Sequence, residues 1–190
     1  MASASFDINL DLPALVPASV TSAAAAVHSP AVALAPNALA LHAGAVPRIV
    51  IDYDPPQPDD PQLASDSSDL VYFLSWAFST RYGANHEMSI AALVLRGEFG
   101  IDLSPLLTFA DRSIEDPADA DALARAWQDA VPLAECCTRV AEALRDTEKR
   151  LTAIREEYPG LVENIEELAR LAGQAAERGA RIRVTYELEH

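Results

Sequence analysis

Two seven-residue stretches, RIVIDYD at 48–54 and RIRVTYE at 181–187, write nearly the same pattern of basic, apolar and acidic residues on either side of a long helical region. Each alternates with the period of a strand. Antiparallel pairing that sets Arg48 against Glu187 also sets Asp52 against Arg183 and Asp54 against Arg181, so opposite charges meet along one face. The other face then matches Ile49 with Tyr186, Ile51 with Val184 and Tyr53 with Ile182, all apolar. Parallel pairing in the matching register places Arg48 beside Arg181 and Asp54 beside Glu187, like charges at both ends. Charge therefore selects the antiparallel option, and slipping by one residue would turn each apolar row outward. A lone two-stranded ribbon is marginal in water, so it must lie on helices, gain a third strand or pair between subunits.

What lies between the strands reads as helix. From Asp69, a plausible N-cap, Leu70, Phe73, Leu74, Ala77 and Phe78 recur at helical spacing up to Gly83. Asn85 is the expected cap of a second helix with Ile90, Leu93 and Val94 on its inner face, ending near Gly97 or Gly100. A turn and short helix follow in IDLSPLLTFADRS, and Asp116 with Pro117 starts another helix in which Trp127 is expected to be core. The strongest pattern comes last. Leu133, Cys137, Val140, Leu144, Thr147, Leu151, Ile154 and Tyr158 step by four and three without a break, Pro159-Gly160 turns, and Leu161, Ile165, Leu168, Ala172, Ala175 and Gly179 continue. This predicts an antiparallel helical hairpin. The expected fold class is mainly α with a small antiparallel β-sheet (α+β), a helical hairpin or bundle closed by strands at 48–54 and 181–187.

Residues 1–47 form an Ala- and Pro-rich apolar arm, and from Leu12 to Pro47 it contains no Lys, Arg, Asp or Glu. It lacks the basic start of an export signal, and Pro13, Pro17, Pro30 and Pro36 break any membrane span. An uncharged arm gains by burial, on its own domain or a neighbouring subunit. Residues 48–187 make a single domain, within which the Pro- and Asp-rich stretch 55–68 is expected to be an extended, solvated connector. Leu188-Glu189-His190 reads like the beginning of a polyhistidine tag and is set aside in the search for a site.

The formal net charge is -15, which argues against phosphate-reading nucleic-acid binding and against anionic membranes. It favours a basic protein partner, with an acidic decoy of a nucleic-acid-binding surface as a weaker reading. Adjacent Cys136 and Cys137 point about 100° apart on a helix, which suits small buried thiols in a reducing cytoplasm rather than a disulfide.

Catalytic motifs do not emerge. His86-Glu87 lacks the second histidine of a zinc-binding HExxH helix, because Ile90 stands there. The glycine register of a calcium loop, a P-loop, GxGxxG and GxSxG are also missing, so no catalytic residue, metal or cofactor is assigned. Polar groups of catalytic type gather near aromatic residues in Trp76, Arg81, Tyr82, His86, Glu87, Asp111 and Arg112. Of these Trp76, Arg81, Tyr82, His86, Glu87 and Arg112 are candidate ligand-binding residues, with Arg81 the expected contact of an anion. Pairs such as Glu135 with Arg139 and Glu166 with Arg170 fit solvated i,i+4 contacts. The leading expectation is a non-enzymatic interaction protein, an adaptor, assembly factor or regulator that self-associates, without nucleic acid or membrane as partner. The alternative is an anion-binding protein or enzyme with its pocket near Arg81, Tyr82 and His86.

Overall fold

The computed structural model describes residues 46–57, 61, 63–78, 86–146 and 149–189. The N-terminal arm up to residue 45, together with Arg81, Tyr82 and His190, lies outside the described residues.

Strand β1 (Val46–Asp54) pairs antiparallel with β4 (Arg181–Glu189), and the register is the one charge selects: Arg48 opposite Glu187, Asp52 opposite Arg183, Asp54 opposite Arg181. The strand runs on through Leu188 and Glu189, opposite Pro47 and Val46. Ile49, Ile51, Tyr53, Ile182, Val184 and Tyr186 form the inner face, each no more than 5 % exposed. Two short strands that the sequence did not announce complete the sheet on the far side of β4. β2 (Phe109–Asp111) runs parallel to it and β3 (Trp127–Asp129) antiparallel, so the sheet is mixed rather than antiparallel throughout.

Six helices fill the remaining described chain: α1 (Ser68–Phe78), α2 (Glu87–Gly97), α3 (Pro117–Arg125), α4 (Ala130–Arg145), α5 (Lys149–Glu157) and α6 (Pro159–Glu177). The hairpin is the antiparallel pair α4 and α6, whose seam is the expected stripe: Leu133, Cys137, Val140 and Leu144 against Leu161, Ile165, Leu168, Ala172 and Ala175, all fully buried. Gly179 (φ 66) takes the left-handed conformation that ends α6 and turns the chain into β4. The stripe does not, however, lie on one continuous first helix. Asp146 leaves helical geometry (φ -59, ψ 139), and α5 starts anew at Lys149. Arg155 of α5 reaches back to donate to the carbonyl of Arg145, satisfying an acceptor that the break sets free.

Other local expectations shift in instructive ways. The inner face of α2 is Met88, Ala91, Ala92, Val94 and Leu95, while Ile90 and Leu93 point outward, 42 % and 51 % exposed. His86, not Asn85, caps it. Trp127 stands on the half-buried edge strand β3 instead of a helix core. Arg139 donates to the carbonyls of Phe99 and Gly100 just after α2 and Arg145 pairs with Glu166 at 2.7 Å, so these two arginines tie elements together, while Arg170 pairs with Glu167 along α6 itself.

The end of the connector is pinned even where it is exposed, at Ala64, Ser65 and Asp66. Ala64 N–H donates to both carboxylate oxygens of Glu167, the Ser65 hydroxyl to Asn164, and Asn164 Nδ2 to the carbonyl of Asp66. Ser67 Oγ accepts the N–H of Ile49 at 2.8 Å. That bond shows that the odd-numbered amides of β1 face away from β4, and Pro47, on the same side, has no N–H to leave bare. Ser67 and Pro47 thus blunt the outer edge of the sheet.

Asp69 is one residue inside α1 and serves another helix. Its Oδ2 accepts Gly160 N–H at 3.0 Å, at the start of α6, where the N-cap Tyr158 makes no side-chain cap bond and Pro159 has no N–H. A side chain on one helix therefore supplies the missing cap of another. Asp69→Ala should cost about 1 kcal/mol in urea unfolding, and Asp69→Asn, which keeps an acceptor oxygen, should recover most of it. Equal stability of Asp69→Ala and the native chain would refute this role.

Among the described residues, no helix is long and apolar enough to cross a membrane.

Candidate functional site

Trp76, His86 and Glu87 come together where the end of α1, the start of α2 and the corner between α5 and α6 meet. The imidazole of His86 lies flat on the Trp76 indole, ring centroids 4.0 Å apart and planes 7° apart. Tyr72, one turn before Trp76 on α1, presents its ring edge-on to both and places its hydroxyl 2.9 Å from His86 Nε2. Tyr158, from the corner, tilts against Tyr72 at 5.8 Å and donates its hydroxyl to Glu87 Oε1 at 2.8 Å. Burial, and after it the bond to the Glu87 carboxylate, pushes the Tyr158 phenol well up from its ordinary value. Ser89, buried beneath, donates to the carbonyl of Trp76 and closes the α1–α2 contact.

The hydrogen bonds fix the tautomer of His86. The backbone N–H of Met88 donates to Nδ1 at 3.2 Å, and a backbone N–H can only donate. Nδ1 is therefore unprotonated, the ring proton sits on Nε2, and Nε2–H donates to Tyr72 Oη. Both ring nitrogens and one oxygen of Glu87 are engaged within the protein. The arrangement clasps three elements together and holds a titratable ring in a helix cap.

Arg112 does not belong to this cluster. It follows β2 and crosses the outer face of the sheet, where Nη1 contacts both oxygens of Asp52 at 3.1 Å, Nη2 contacts Oδ1 at 3.2 Å, and Nη1 also reaches Thr185 Oγ1. Arg183 grips the same carboxylate with Nε at 3.0 Å and Nη2 at 2.8 Å, and its guanidinium lies 4.6 Å over the Trp127 ring. Arg181, opposite Asp54 in the ladder, turns instead to Trp127, donating to its carbonyl and standing 5.7 Å from the ring centre. The sequence-level grouping of Arg112 with His86 is thus corrected: two arginines share one aspartate on the sheet, and Asp111 accepts the buried hydroxyl of Tyr186 at 2.8 Å. Arg81 and Tyr82 lie outside the described residues.

Sequence reasoning missed Tyr72 and Tyr158. Tyr72 carries a signal in hindsight, because it sits four residues before Trp76 on the same face of α1. Tyr158 carries none, since only the corner at Pro159 brings it to α2. Cys136 and Cys137 are free, buried thiols; burial raises both, Cys136 to about 11. Among the described residues, no group of three His, Cys, Asp or Glu side chains converges as a metal site would require. Compared with protein-family models, curated proteins and solved structures, the chain matches none.

Proposed function

We propose that this chain is a non-enzymatic interaction module that associates with itself and presents α2 as part of its contact surface. The observation that supports the reading is the outward pair Ile90 and Leu93, 42 % and 51 % exposed and one helical turn apart on α2. Two large aliphatic side chains stacked on an open helix face gain by being covered. The stretch from Leu12 to Pro47, which has no Lys, Arg, Asp or Glu, is of the same apolar character in composition. With a net charge of -15, a partner other than a second copy would be a protein with a basic rim around an apolar patch. A reducing cytoplasm suits Cys136 and Cys137 as thiols. An anion pocket at His86 draws less support, because the ring nitrogens are already bonded and Arg112 is held by Asp52.

Sedimentation velocity tests the reading. The native chain should sediment above the 20.4 kDa of one copy, and the double variant Ile90→Asp, Leu93→Asp should sediment as a single copy with unchanged circular dichroism. A native chain that stays monomeric across the same concentrations, or a variant that assembles as before, would rule out this surface.

A further inference from the structure

We infer that His86 is a proton-controlled clasp on the first turn of α2. In the neutral ring Nδ1 accepts Met88 N–H at 3.2 Å and Nε2 lies 2.9 Å from Tyr72 Oη. A second proton has one place to go, Nδ1. Its lone pair is then gone, two N–H groups face each other at the cap, and a positive charge sits at the positive end of the helix.

The two sides of the ring respond differently. Nε2–H still donates to Tyr72, and the Trp76 indole 4.0 Å away attracts a cation over its face. The protonated ring therefore stays with α1 while α2 loses its cap, so protonation uncouples the two helices at this corner.

The ionisable side chain in contact with the ring is Tyr72 on α1, against which Tyr158 tilts while donating to Glu87. Asp69 stands three residues before Tyr72 on α1, and Glu157 directly before Tyr158. Asp69 is committed to Gly160 N–H, and one Glu87 oxygen to Tyr158. Carboxylates and phenols ordinarily change charge outside pH 5–8, whereas imidazole is the side-chain type that ordinarily does so within it.

The test is nuclear magnetic resonance on the whole chain. At about pH 8 the ring nitrogens should report the Nε2–H tautomer. From about pH 8 to about pH 5, protection of the Met88 amide, corrected for intrinsic exchange, should fall about fivefold, the factor that corresponds to losing a cap of about 1 kcal/mol. In His86→Asn, whose side-chain oxygen accepts the same N–H and cannot take up a proton, protection should be equal at both values. An Nδ1–H tautomer at about pH 8, a native Met88 amide indifferent to pH, or an equal fall in His86→Asn overturns the inference. The tautomer measurement uses the native chain and so stands even where the variant fails to fold.

Discussion

Asp52→Ala is expected to lower the unfolding free energy by about 2–3 kcal/mol, the largest loss from any single polar side chain on the sheet. The aspartate is 18 % exposed and accepts from Arg112 and Arg183, of which Arg183 is equally shielded and Arg112 about twice as open. Removing it strands two guanidinium groups, one against an indole and one beside Thr185, with no anion between them. Full burial would put the loss at about 3–5 kcal/mol; the openness of Arg112 to water brings it down. Asp52→Asn keeps one acceptor and loses the charge, so its effect should fall between native and alanine. Urea is the denaturant to use, because guanidinium salt would screen the interaction under study. An alanine variant within about 1 kcal/mol of native, a size that mutation of an exposed pair would give, would mean that the two arginines find other partners.

The second large effect belongs to the core. Phe73 is fully buried on α1, the helix that touches α2, α6 and β1 at once. Phe73→Ala should cost about 3–5 kcal/mol, the transfer of the ring plus the cavity it leaves. Phe73→Leu, closer in volume, should cost less than about 1.5 kcal/mol. If both variants lost the same amount, the site would be collapsing freely around the gap, contrary to a helix held from three sides.

The β1–β4 register was legible because two independent constraints, opposite charges on one face and apolar residues on the other, agree only in one alignment. The α4–α6 seam was legible because its apolar stripe is narrow and its flanks are charged. By contrast α2 reads IAALVL, apolar on every side, so spacing alone could not say that Ile90 and Leu93 face outward; the packing partner decides that. β2 and β3 are three residues each, too short for a period, and exist because β4 offers them an edge. The break at Asp146 escaped notice because the four-and-three stepping passes through it, and the arginine that caps it lies ten residues on. In the candidate site, Trp76, His86 and Glu87 are close in sequence and were found together. Arg112 was drawn in by its type alone, and its true partner Asp52 is remote in the chain, legible only once the strands are aligned.

The pairing of β1 with β4 has a consequence for how the chain is made. Its two strands stand at opposite ends of the described domain, Val46 beside Glu189, with all six described helices synthesised between them. A ribosome delivers β1 before the described helices and β4 after them, so Ile49, Ile51 and Tyr53 lack their partner strand while those helices are made. Ser67 and Pro47, which guard the edge in the finished sheet, cannot shield the side that β4 will occupy. The sheet is therefore the most non-local contact of the described domain, and until β4 is made the apolar face of β1 has no strand beside it.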